Sequence, residues 1–224
     1  MSKSTINQPL VGSTVTTDSK TISTKFAQSA SELEINKAVI ALEANGFKVK
    51  VVDTLQQAKQ AVEALIPEKS EVFTATSVTL DKAGLSEELN SDKYTSVRDK
   101  FMALYGHPDK AVEMKRIGSG SDYAVGSVHA VTQDGQVLIA SATGSQIPNY
   151  VYGASNVIWV VGTQKIVKDL TEGLDRIENY VFQLEDERAQ AVYGAHSSLN
   201  KILIYRKETT ERVTIILAKE TAGF

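Results

Sequence analysis

The chain has no cysteine in its 224 residues. That excludes structural disulfides, a thiol nucleophile, thiolate zinc sites and a cysteine-held iron–sulfur cluster. Basic charge is also short: net charge is −3, and no basic stripe exists to neutralise a phosphate backbone, so nucleic acid is not an expected partner. Long apolar runs are missing. The longest uncharged one, around Val157–Gly162, is far too short to span a bilayer. The first twenty residues contain no hydrophobic stretch of the signal-peptide kind, so no secretory signal is read and a cytoplasmic location is expected. The three histidines, His107, His129 and His196, show no ligand spacing, so no metal is expected.

What is present is ordinary globular composition, 42% hydrophobic and 23% charged, in a chain long enough to bury its own core. Residues 1–24 differ: eleven are Ser or Thr and few are bulky. Such a segment buries too little to offset its ordering entropy and reads as a flexible tail. Residues 25–224 read as one α/β domain. A helix is expected from Thr24 to Asn45, with Phe26, Ala30, Leu33, Ala38 and Leu42 inward. Phe47–Val52 alternates as a strand. Asp53 or Thr54 caps a helix with Leu55, Ala58, Val62 and Leu65 inside and Pro67 beyond its end. Glu71–Thr74 is a short strand, with Thr76 and Ser77 in the turn that follows. Asp81–Asn90, Thr95–Leu104 and Asp109–Arg116 read as short helices.

The densest chemistry lies between Gly118 and Lys165. Ala124–Thr132 and Gln136–Ser141 flank Gln133-Asp134-Gly135, a hairpin signal. A helix is expected from Ser145, with Pro148 in its first turn. Asn156–Gly162 is apolar throughout, as a central strand buried on both faces would be. The longest helix follows, striped by Leu170, Leu174, Ile177, Val181 and Leu184 and ended by Tyr193-Gly194. Lys201–Arg206 and Arg212–Ala218 read as a final hairpin. Strands alternating with helices predict a mixed, mainly parallel sheet with helices on both faces.

In such a sheet ligands sit beyond the carboxyl ends of the strands. Gly144-Ser145-Gln146 and Gly162-Thr163-Gln164-Lys165 both follow strands and are expected to open on one edge. Their glycines allow close backbone approach, and their hydroxyls, amides and ammonium suit a carboxylate or phosphate. Ser145 and Thr163 read equally well as helix caps. Gly118-Ser119-Gly120-Ser121-Asp122 lacks the dinucleotide spacing, because Tyr123 stands where the third glycine is needed. Asp122 is either a boundary residue or an acid facing the ligand. His129 is either a hydrogen-bonded strand histidine or a general base, and no G-x-S-x-G elbow supports a serine triad. The run Glu185-Asp186-Glu187-Arg188 reads as a solvated helix face, and Arg188 is its member best able to reach an anion.

The segment MKRIGSGSDYAVGSVHAVTQDGQVLIASATGSQIPNYVYGASNVIWVVGTQKIVKDL resembles the LUD (lactate utilization) domain family, in its LutC-like group. VFTATSVTLDKAGL upstream, and LEDERAQAVYG and LNKILIY downstream, extend the likeness over roughly residues 26–224. The resemblance implies a fold similar to the NagB/RpiA/CoA-transferase architecture and a link to oxidation of L-lactate to pyruvate, with iron–sulfur partner subunits. Larger relatives carry a cysteine-rich region. This chain has none, so the expected role is binding a small anionic metabolite beside redox partners, with no cofactor of its own. A stand-alone isomerase or CoA-transferase, with Asp122 or His129 as base, and a structural or regulatory subunit are the alternatives. Apolar strands near the chain's end would also support a homo-oligomer.

Overall fold

The computed structural model describes residues 24–224. The Ser/Thr-rich tail expected over 1–24 lies outside the described residues apart from its last position. In chain order the strands are β1 (Lys48–Val52), β2 (Glu71–Thr74), β3 (Thr95–Ser96), β4 (Ser121–Gly126), β5 (Ala130–Thr132), β6 (Val137–Ser141), β7 (Ala154–Gly162), β8 (Ile166–Val167), β9 (Lys201–Tyr205) and β10 (Val213–Ala218). The helices are α1 (Glu32–Ala44), α2 (Leu55–Leu65), α3 (Val78–Lys82), α4 (Leu85–Leu89), α5 (Val97–Ala103), α6 (Ala111–Ile117), α7 (Leu170–Arg176) and α8 (Phe182–Tyr193).

Six strands form a wholly parallel sheet in the order β1-β10-β7-β4-β2-β3. Its middle follows from composition. Val157, Trp159 and Val161 of β7 face one side and Ile158 and Val160 the other, all buried. A strand apolar on both faces is stable only where both faces are covered. On one face α2, α3 and α4 supply Leu55, Val62, Leu80, Leu85 and Leu89. On the other, α1 supplies Ala38 and Leu42, and a second sheet covers the rest. So helices do flank both faces, with a sheet intervening on one.

The second sheet runs β8-β5-β6-β9, with β5–β8 parallel and the other two pairings antiparallel. The Asp-Gly hairpin is here: Gly135 takes a φ of 83°, and Thr132 N–H donates to Gln136 O at 2.9 Å. Val137 and Ile139 pack toward the large sheet, while Leu138 faces α7 and the turn beyond it. The layers are therefore helix, parallel sheet, mixed sheet and helix.

Several expected elements change. Ala124–Thr132 is not one strand. It bends at Ser127–His129, so β4 joins the first sheet and β5 the second. β9 and β10 are not a hairpin. β10 is fully buried at Val213, Ile215, Ile216 and Leu217 and takes a central slot, whereas β9 exposes Ile202 and Ile204 and sits at an edge. Glu208 anchors the link between them, accepting from Thr209 and Thr210 N–H and pairing with Arg212 at 3.3 Å. The helix expected near Ser145 starts two residues later: Ile147 and Pro148 open it, with Pro148 in its first turn as expected, and Asn149–Gly153 continues it as a π turn. Thr163 is not a helix cap, because Thr163–Lys165 is a short 3₁₀ turn leading into β8, and Asp169 caps α7. The first helix starts later, at Glu32, behind a Ser31–Glu34 capping box; Leu33 is 65% exposed and Ile35 is buried in its place. Leu65 is likewise exposed at the end of α2.

Candidate functional site

Parallel strands leave a crevice where neighbouring chain segments depart from their carboxyl ends. Here β2, β4 and β7 do so, and the crevice holds a small, partly open cleft of about 80 Å³. Thr76, Ser77 and Thr79 come from the turn after β2, and Ser127, Val128 and His129 from the bend after β4. Lys165 comes from the turn after β7. Gln146, Tyr150, Glu185, Arg188 and Phe224 close the sides.

Lys165 is 2% exposed. Its Nζ lies 3.1 Å from each of Thr79 Oγ1, Ser127 Oγ and Val128 O, and it forms no ion pair among the described residues. Burial holds its amine well below the usual lysine range, and the charges of Arg176 and Lys82 push the same way. Arg176, the last residue of α7, is fully buried. It donates through Nη1 to His129 O at 2.7 Å and packs on the rings of Tyr180 and Phe26. Its Nε and Nη2 have no partner among the described residues, and burial lowers its pKa to about 10, so it stays charged near neutrality.

His129 accepts the Ala140 N–H at Nδ1, at 3.0 Å. Burial first, then the charges of Lys165 and Arg176, drop its pKa to about 3. The ring is therefore neutral, and with Nδ1 accepting, its proton is on Nε2. Tyr150 also lines the cleft. Its hydroxyl is buried without a partner among the described residues, and burial raises its pKa. A Cβ added at Gly126 would stand 1.8 Å from that oxygen, so glycine at the end of β4 admits the ring. Arg188 is held by two bonds to Glu185, at 2.7 and 2.6 Å. Asp81, the other acid of the cleft, accepts from Ser86 Oγ at 2.5 Å.

The residues singled out from sequence separate into four groups. His129, Gln146 and Lys165 meet in the cleft, and Arg188 joins them from α8. Gln146 folds back on β6, accepting from Ser141 Oγ and donating to Ala140 O. Gly144 and Ser145 form a turn outside the cleft lining, Gly144 with φ of 84° and its N–H on Ser141 Oγ. Gly162, Thr163 and Gln164 face the chain's last residues: Gln164 Nε2 donates to Ala222 O and Gly223 O, and Thr163 Oγ1 to Lys219 O. The two turns therefore do not share an edge, since β6 and β7 lie in different sheets. Asp122 is at the amino end of β4, exposed, accepting Glu71 N–H at 2.9 Å, away from the cleft. Sequence reading missed Thr79, Ser127, Tyr150 and Arg176. Arg176 had one visible signal: Gly173, Arg176 and Tyr180 form a second inward stripe on the long helix.

The fold and site together define an α/β protein with a cleft at the carboxyl edge of a parallel sheet. The sequence matches the LUD domain over residues 35–218, and the chain belongs to that family. A DUF162 family protein from Deinococcus radiodurans has a similar fold: TM-score 0.51, 10% identity, 83% of this chain and 96% of that one covered. eIF2B beta from Chaetomium thermophilum aligns at TM-score 0.27 and 16% identity, over 62% of this chain and 46% of that one. No curated protein matches the sequence. No helix among the described residues is long and apolar enough to cross a membrane.

Proposed function

We propose that this LUD-domain chain binds a small anionic metabolite, a carboxylate or a phosphate, in the cleft between β2, β4 and β7. We place that binding in L-lactate utilization, beside partner subunits that carry the iron–sulfur clusters. Family membership supports the metabolic setting. The absence of cysteine means that the electrons would pass through the partners.

One observation carries the binding reading. Two buried basic side chains, Lys165 and Arg176, stand at and behind the cleft without a carboxylate partner among the described residues. Buried charge without a counter-charge is costly, and an anionic ligand would offset that cost. The two acids of the cleft are already engaged, by Arg188 and by Ser86. An isomerase or acyl-CoA transferase would need a free carboxylate there, and Asp122 stands at the other end of the sheet.

Calorimetric titration with L-lactate, pyruvate, a sugar phosphate and a CoA ester tests the reading. At least one should bind, and Lys165→Met should weaken it about tenfold, or ~1.4 kcal/mol. Heat from none of the four, with no thermal shift, would sink the proposal. Copurification with cluster-bearing subunits tests the setting separately.

A further inference from the structure

The hydroxyl and amide of Thr163 and Gln164 suit a ligand by type, but they hold residues 219–224 instead. That segment leaves the carboxyl end of β10 and crosses the end of β7 toward the cleft. It is tied down along its length. Lys219 N–H donates to Val52 O at 2.9 Å, and Glu220 accepts the Leu55 N–H that opens α2, at 2.8 Å. Ala222 is fully buried, and its carbonyl accepts from Thr79 Oγ1 at 3.1 Å and from Gln164 Nε2 at 2.9 Å. The same amide reaches Gly223 O at 3.1 Å.

Two glycines make this close approach possible. A Cβ at Gly162 would stand 2.8 Å from Ala222 N, and one at Gly223, where φ is +64°, would stand 2.4 Å from Thr79 Oγ1. The turn after β7 is thus shaped to grip a strap. What the strap carries into the cleft is Phe224, which lines it. Phe224 also packs on the apolar cluster that includes Ala130, Leu138 and Ile177, so displacing it would uncover that cluster. The strap and the cleft lysine share an anchor, because Thr79 Oγ1 bonds both Ala222 O and Lys165 Nζ. The cleft holds only about 80 Å³, against roughly 300–1,000 Å³ for pockets that enclose drug-sized ligands. In so small a space a fixed aromatic wall is felt at the level of a single methylene.

We propose that Phe224 sets the size of the anion that the cleft admits, limiting it to anions as short as pyruvate or methyl phosphate, and that Gln164 positions Phe224 through the strap. The proposal rests on the anion-binding reading. It gives the Gly162-Thr163-Gln164 turn a part in selectivity although none of the three lines the cleft.

Calorimetry on the full-length protein with two homologous series tests it: pyruvate to 2-oxohexanoate, and methyl to butyl phosphate. In the series that binds, the longest member should bind at least about tenfold more weakly than the shortest. Phe224→Ala should remove most of that gap and Phe224→Leu part of it, so the leucine variant carries the comparison if the alanine variant misfolds. Gln164→Met keeps the side chain's length and loses its donors. It should relax selectivity in the same direction and add nothing in the Phe224→Ala background. An amide with a merely structural role would lower the melting temperature without altering the ratio of affinities. A flat series in the unaltered protein would overturn the size limit, as would binding of a sugar phosphate or CoA ester alone, or a gap that survives both Phe224 variants; in each case the anion reading stands. Unchanged selectivity in Gln164→Met, or further relaxation in the double variant, would overturn the positioning role. Heat from no anion at all would remove both readings.

Discussion

His129 is a base that the fold keeps from acting as one. Its ordinary pKa of 6.5 falls to about 3 through burial and the nearby cations Lys165 and Arg176. Between those values the unfolded chain holds a proton that the folded chain does not. Stability contributed by the neutral ring is thus complete above about pH 6.5 and is lost as pH falls toward 3. Glutamine keeps an acceptor and does not titrate. His129→Gln should therefore flatten the rise of unfolding free energy with pH across that window by up to one proton, about 1.4 kcal/mol per pH unit. Urea unfolding at a series of pH values measures it, and an unaltered slope would mean that the imidazole titrates normally. The same burial made residue roles hard to read from sequence. Lys165 and His129 were visible as candidates, but their protonation depends on Thr79, Ser127 and Arg176, which are remote in sequence. Tyr150 gave no periodic signal, because it sits in a π turn.

The long helix shows what one irregular turn does to an element. α7 and α8 are joined by a π turn, Ile177–Val181, where an extra residue is accommodated without breaking the helix. It buries Ile177, Tyr180 and Val181 against the second sheet and sets the direction in which Glu185 and Arg188 leave α8. Deleting the exposed Glu178 would restore regular spacing and rotate α8 by about 100° relative to α7. Helix content measured by circular dichroism should hold, while anion affinity in the cleft falls about tenfold as Arg188 turns away. Unchanged affinity would show that Arg188 does not contribute to the cleft. The stripe Leu170–Leu184 was legible because it is local and periodic. The π turn was not, because the same spacing fits an uninterrupted helix.

At the scale of the whole molecule, the two sheets share one core. Trp159, the chain's single tryptophan, is fully buried between them, edge-on to Tyr150 and Tyr205 and near Phe47. Neither sheet can separate without exposing the inner faces of β7, β10, β5 and β6 together. Tryptophan fluorescence and far-ultraviolet circular dichroism should therefore report one transition with the same denaturant midpoint. Separate midpoints would show that the mixed sheet melts on its own.

The sequence by itself determined where the longer strands and helices lie, that β7 is central and covered on both faces, and that the chain is a LUD-domain protein. Those properties are carried by apolar spacing and by ordered local motifs, which need no knowledge of distant partners. Only the tertiary structure decided that β4 and β5 part into different sheets, and that β10 leaves β9 for the slot beside β7. It also decided that Gly162-Thr163-Gln164 clasp the last residues of the chain while Lys165 meets Thr79 and Ser127 in the cleft. Strand pairing and side-chain environment are set by which surfaces must be covered in common, and that is a property of the assembled layers. The stretch Gly118–Lys165 therefore supplied both the family likeness and a lysine whose chemistry depends on residues far from it in the chain.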